Sequence, residues 1–284
     1  MFLLLAREIR DYIYDASLLA LIENPPQPST SPSPDHQIIP KRRHWEQIPL
    51  GRGTCFGLMY SCRQVYLESV ESIERHNGVS FQLKLAVNTL ENRNWGGERI
   101  TPTWVQFPLL VYPNLPLGPV STNIDINSKC QNFHLSFEIQ SKERFCWWGD
   151  GGPAYLTQTL FNMLAQFLLH GPLGLHCSIP TKSDVGSTWD INTLAVDIIT
   201  TFTDPNTGQL CTVPEGVVMD THRQLSMQLG RVCVSGALSK RVRAVRLSVE
   251  GEIKREWLID QGKRLSEKTK KSWACYGWVI DKTE

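Results

Sequence analysis

The apolar residues of this chain change period at Asn77-Gly78. Before it, Met59, Cys62, Tyr66, Val70 and Ile73 recur every three or four residues, the spacing of one helix face. After it, Val79, Phe81, Leu83, Leu85 and Val87 recur every second residue, which is a strand with one buried face. Asn-Gly tolerates left-handed backbone and so ends the helix. That switch sets the reading of the whole chain: helices first, then a domain built on strands.

The strand signal returns at intervals. Phe133, Leu135, Phe137 and Ile139 alternate, then Leu194, Val196 and Ile198, then Val245, Leu247 and Val249. Residues 103–112 suit a partner strand, with Pro108 placing it at an edge or a bulge. Helical segments lie between the strands. Residues 154–169 carry Leu156, Leu160, Leu164, Phe167 and Leu168 inward and stop at Gly171-Pro172. Residues 215–233 offer Val218, Leu225 and Leu229 to a core. The order strand–helix–strand–helix–strand predicts parallel strands joined by right-handed crossovers. Their centres, Phe133, Leu194 and Val245, stand about 61 and 51 residues apart, too far and too unevenly for a standard solenoid. A leucine-rich-repeat-like curved sheet stays open as one form of this domain. Residues 254–271 are charged and read as a helix, and Trp273 to Ile280 as a last strand.

The chain opens on another amphipathic helix, residues 3–22. Leu5, Ile9, Ile13, Ala16 and Ala20 form its apolar stripe, widened by Tyr12 and Leu19. Arg7, Glu8, Arg10, Asp11 and Asp15 lie largely off that stripe. Residues 24–50 break the pattern with prolines at 25, 26, 28, 32, 34, 40 and 49. Such a segment makes neither helix nor central strand and is expected as an exposed insert. Ser31-Pro32 and Ser33-Pro34 fit proline-directed phosphorylation, and Lys41-Arg42-Arg43 is a short basic run.

Composition narrows the function classes. Twenty-nine Lys and Arg against 28 Asp and Glu leave a net charge of +1, which argues against a bulk nucleic-acid binder. Eight cysteines are scattered without a Cys-x-x-Cys pair, against a zinc ribbon or thioredoxin-type site. Reduced, buried thiols in an intracellular protein, cytoplasmic or nuclear, are the preferred reading. Early charges at Arg7 and Glu8 spoil a signal peptide, and the apolar helical part of residues 151–181 falls short of a membrane span.

The motifs of catalysis are missing. There is no Gly-x-Ser-x-Gly, His-Glu-x-x-His or Gly-x-Gly-x-x-Gly. His170, His176 and Cys177 are interrupted by Gly171-Pro172 and carry no metal assignment. Asp220, His222 and Arg223 read as helix-surface residues. Gly149-Asp150-Gly151-Gly152 runs into Pro153 and reads as a turn. The basic stretch 254–271, with Trp257 inside it and Trp273 just after, reads as a solvated face before a single-strand nucleic-acid contact. No catalytic residue, metal ligand or cofactor is assigned, and the chain is expected not to be an enzyme.

Two blocks carry a resemblance. Leu5-Ala6-Arg7-Glu8-Ile9-Arg10-Asp11-Tyr12-Ile13-Tyr14 resembles the F-box opening of a large group of fungal F-box-like proteins, Leu-Pro-x-Glu-Ile-Arg-x-x-Ile-Tyr. Leu58 to Glu68, with Cys62-Arg63-Gln64-Val65-Tyr66, resembles that group's later Cys-Arg-Gln-Ile-Tyr-x-Glu block. Ala6 stands where the group has proline, and the Pro-rich insert separates the blocks. The resemblance implies a helical module over residues 1–76, interrupted by residues 24–50, and an α/β recognition domain over residues 77–284. It implies docking to a Skp-type adaptor and thence to a cullin ubiquitin ligase, with Leu5, Ile9 and Ile13 making the adaptor contact and the α/β domain holding a target protein. Two alternatives stand beside it: a scaffold of the same fold without adaptor binding, and an enzyme with a non-motif site in the α/β domain. An adaptor-binding helix leaves an apolar patch exposed in the free protein; a merely structural one turns Leu5, Ile9 and Ile13 into its own core.

Overall fold

The computed structural model describes residues 2–18, 62–90, 97–106, 129–140, 155–176, 189–204 and 207–275. A short 3-10 turn, Phe2–Leu4, leads into α1 (Arg7–Leu18). Then come α2 (Arg63–Arg75), β1 (Val79–Leu90), β2 (Gly97–Gln106) and β3 (Lys129–Ile139). They are followed by α3 (Tyr155–His176), β4 (Asp190–Ile199), β5 (Thr201–Thr203) and β6 (Leu210–Thr212). The last elements are α4 (Glu215–Ser235), β7 (Val242–Val249), β8 (Glu252–Leu258) and α5 (Glu267–Cys275).

The main sheet has six strands in the order β2-β1-β3-β4-β7-β8. The inner pairs β3–β4 and β4–β7 are parallel, as the strand–helix alternation predicts; β1 also joins β3 in parallel, and β2 and β8 close the two edges antiparallel. β3, β4 and β7 stand side by side in chain order, and since such crossovers are right-handed as a rule, α3 and α4 are expected on the same face. One face should then be apolar and the other polar, and the registers show it. Leu83, Leu135, Val196 and Leu247 share one row across the sheet, all fully buried. On the opposite face the neighbouring row is Lys84, Ser136, Asp197 and Ser248. Parallel strands sandwiched between helices read as continuous apolar runs; these alternate because the helices crowd one side.

One buried cluster joins the helices to the sheet. Tyr14 and Leu18 of α1 and Val65, Val70 and Ile73 of α2 belong to the same packed set as Phe81, Phe133 and Leu194. The turn at 76/77 closes α2 as expected. Asn77 and Gly78 take φ of 56° and 115°, and Gly78 N–H donates to Ile73 O at 2.9 Å.

The expected elements shift in several places. The edge strand, expected over 103–112, is seen over residues 97–106, with Pro102 opposite Leu85 inside it; residues 107–112 lie outside the described residues. The helix expected over 254–271 is mostly something else. Glu250 and Gly251 take φ of 50° and 77°, a tight reversal that lays Glu252–Leu258 back along β7 as a strand. Only Glu267–Cys275 is helical, started by Ser266, whose hydroxyl accepts the Thr269 N–H at 3.2 Å. Trp273 belongs to that helix, its ring 5.4 Å from Phe161, rather than to a last strand. The Pro-rich insert 24–50, the end of the first helix beyond 18, Leu58 to Ser61, the Pro108 region, the loop 147–152, Cys177 and the run 276–280 lie outside the described residues.

Among the described residues, Cys62, Cys130, Cys211 and Cys233 are free thiols. Burial pushes the Cys233 thiol up to about 12 and raises Cys130 as well. In the native protein at neutral pH, half-buried Cys62 and Cys211 are expected to alkylate before Cys130 and Cys233. Peptide mass spectrometry reads the order directly, and native labelling of Cys130 or Cys233 first would contradict this packing.

Candidate functional site

The two blocks singled out in the sequence meet each other. Glu8 in the first turn of α1 suits the positive end of the helix. Three and four residues apart along the inward face run Arg7, Arg10, Asp11 and Tyr14. Across from them on α2 run Gln64, Glu68, Glu71 and Arg75.

Glu68 is the centre of the contact. The Arg10 guanidinium meets its carboxylate as a fork, Nε to Oε2 at 2.8 Å and Nη2 to Oε1 at 2.7 Å. The Tyr14 hydroxyl donates to Oε2 at 3.0 Å, and Gln64 Nε2 donates to Oε1 at 2.9 Å. Arg10 and Glu68 are 7 % and 3 % exposed, so this pair is out of water and its lone pairs are filled by protein donors. The Arg10 bonds, with those of Gln64 and Tyr14, hold the Glu68 carboxyl at about 2 against the opposite pull of burial. Burial, then the bond to Glu68, raises the Tyr14 phenol.

A more exposed ion-pair ladder flanks this core. Arg7 reaches Asp11 at 2.8 Å and Glu71 at 2.6 Å. Arg75 reaches Asp11 at 3.2 Å and Asp15 at 3.1 Å, and the Ser72 hydroxyl also donates to Asp15. Burial works to raise the Asp11 carboxyl, but Arg7 and Arg75 outweigh it and hold it low.

Arg10 also fixes the lead-in. Its Nη1 donates to the carbonyls of Leu5 and Leu3, and Phe2 packs edge-on against Tyr14 with ring centres 5.8 Å apart. The chain before the helix is therefore folded back onto it, and its leucines are presented in a fixed arrangement.

The consequence is an inverted helix. Its buried residues are Arg10, Tyr14 and Leu18. The stripe identified in the sequence points away: Leu5 is 38 % and Ile9 51 % exposed, and Ile13 is half-buried. Leu4 at 87 % and Tyr12 at 76 % exposure extend the patch. Of the two arrangements left open by the sequence, Leu5 and Ile9 take the outward one. The polar contact behind them was the missed feature. Its signal was present: α1 and α2 carry charges of opposite sign at matching helical spacing.

The other sequence candidates do not gather. Arg223 lies 3.9 Å from Asp220 on the outer side of α4, and His222 beside them is half-buried. Among the described residues, no three or more His, Cys, Asp or Glu side chains are grouped as metal ligands, and no helix is long and apolar enough to cross a membrane. Compared with protein-family models, with curated proteins and with solved structures, the chain matches none.

Proposed function

We propose that this chain is a non-enzymatic, F-box-like interaction protein that docks a Skp-type adaptor of a cullin ubiquitin ligase through α1 and its lead-in. The reading rests on one observation: α1 turns its polar side to α2 and leaves Leu5 and Ile9 on its outer side. A helix that only needed to pack on its own domain would bury those residues, since each large aliphatic side chain removed from water is worth about 1.5–3 kcal/mol. The buried Arg10–Glu68 fork supplies the alternative attachment and frees the apolar side for a partner groove. The α/β sheet behind the helices is then the part that holds a target. Its leucine-rich-repeat-like variant draws only on the consecutive order of the parallel strands, and the antiparallel strands at both edges favour an ordinary single-layered α/β sheet.

Co-expression with a fungal Skp-type adaptor tests this reading by size-exclusion chromatography. Wild type should elute as a complex, and Ile9→Asp/Ile13→Asp should lose it, at about 2 kcal/mol or more of binding for each anchor removed. Ile9→Asp alone, a change on the exposed side, separates lost docking from lost folding. A well-folded wild type that never associates would leave a scaffold of this shape without adaptor binding.

A further inference from the structure

We propose that the surface shared by α4 and β8 docks an acidic peptide segment carrying apolar anchors. The proposal rests on the reading above only in calling that segment part of a target protein; the surface itself is distant in sequence from α1.

The outer side of α4 carries a mixed stripe. Met219, Arg223, Met227, Arg231 and Val234 follow at spacings of four, four, four and three, which keeps them on one side of the helix. Met219 is 63 %, Met227 40 % and Val234 61 % exposed, and both arginines are exposed between them. A solvated helix face needs charges but gains nothing from two methionines and a valine. Methionine is also the apolar residue best able to adapt to a varied partner.

β8 continues this surface. A Cβ on Gly230 of α4 would lie 3.6 Å from Trp257 Nε1, so the strand's indole rests against the helix. A bulge then brings in charge. Ser248 pairs with Ile253 and Leu247 with Arg255, leaving Lys254 as the extra residue, a device that re-aims side chains. Burial, then Arg255 and Lys254, hold the His222 imidazole of α4 below its ordinary range. At the far end, a Cβ on Gly236 would stand 3.1 Å from the backbone of Arg264, so Lys263 and Arg264 sit at the close of α4.

The charge is unbalanced. Lys254 pairs with Glu252 at 2.6 Å and Arg223 stands 3.9 Å from Asp220. Among the described residues Arg231, Arg255, Lys263 and Arg264 enter no ion pair. A partner that supplies carboxylates complements these cations, and one that also supplies aliphatic side chains covers the methionines and Val234. Nucleic acid fits less well. Single strands are held by rings on which bases stack, and here Trp257 is half-buried and Trp273 buried against Phe161.

The test uses the full chain without adaptor and a fluorescein-labelled peptide of Glu with Leu at helical spacing, followed by anisotropy. Saturable binding that weakens with salt is expected. Arg223→Glu/Arg231→Glu and Met219→Ser/Met227→Ser should each weaken it about tenfold, while unfolding midpoints stay near wild type because all four sites are exposed. No saturable binding, or variants that bind like wild type, would overturn the proposal. So would tighter binding of an oligothymidylate, which would make the surface a nucleic-acid site. Adaptor binding lost in the Ile9 variants leaves this outcome untouched, so the two readings fail separately.

Discussion

Gly171→Ala is expected to destabilise the protein by about 4 kcal/mol, combining backbone strain and an overpacked core. The helical segment Tyr155–His176 is broken at Gly171, where φ is 63° and ψ −158°, a combination open essentially to glycine alone. A Cβ placed there would stand 2.2 Å from Trp189 Nε1 and 2.6 Å from Cε2. The indole has little room to yield. Trp189 is 2 % exposed and lies 5.6 Å from the Phe81 ring and 5.7 Å from Phe167. Phe167 in turn stacks on Phe133 at 4.0 Å, and Trp189 N–H holds Leu168 O at 2.9 Å. The break therefore fits α3 and the start of β4 together over the apolar face of the sheet. Urea denaturation gives the size of the effect. Gly208→Ala separates the two causes, because Gly208 also has positive φ, 67°, but nothing within 4 Å of its Cβ position. It should cost about 1 kcal/mol from strain alone. Equal losses at the two positions would mean that Trp189 is not wedged.

The sequence makes some of these features legible and hides others, for identifiable reasons. β1, β3, β4 and β7 are legible because a sheet with its helices on one side preserves strict alternation, as in Phe133, Leu135, Phe137 and Ile139. The end of α2 is legible because Asn77-Gly78 carries the left-handed turn itself; α4 runs to Ser235, two residues beyond the expected 233, where Gly236 takes that conformation. β8 is hidden because an exposed edge strand needs no apolar pattern; Lys254, Arg255 and Glu256 read as a helix face until the Glu250-Gly251 reversal fixes their direction. Gly171 is legible as a stop, but its tightest constraint comes from Trp189, which no local pattern connects to it. At the candidate site, the periodicity of α1 identifies the helix and its apolar stripe. It does not say which side is buried, because the buried side includes a contact to a carboxylate 58 residues away, where Arg10 meets Glu68. The buried side combines that filled, forked ion pair with Tyr14 and Leu18, which join the core, while Leu5 and Ile9 stay outside.

Glu68→Ala should therefore cost about 4 kcal/mol, the usual penalty for leaving one partner of a buried pair uncompensated. It leaves the Arg10 guanidinium without its fork and the Tyr14 hydroxyl without its acceptor. Arg10→Met/Glu68→Leu should recover most of the loss, since replacing a buried pair with apolar side chains is often neutral or stabilising. Urea midpoints of the single and double variants measure both effects. Acid should imitate the single variant. The Glu68 carboxyl is held at about 2 in the folded chain against an ordinary 4.5, with the Arg10 bonds as the leading cause. A carboxyl depressed in this way contributes its stability fully above 4.5 and loses it as pH falls towards 2. Asp11 and Asp15, also held low, act in the same direction. Wild type should accordingly lose stability across that interval, and Glu68→Gln should show a shallower slope there. The same contact governs how α1 is presented. Releasing Arg10 from Glu68 also loosens the fold of Leu3 and Leu5 over the helix, so Glu68→Gln should weaken adaptor docking without touching the outer patch. Adaptor affinity unchanged in a folded Glu68→Gln protein would show that Leu5 and Ile9 are positioned by α1 alone.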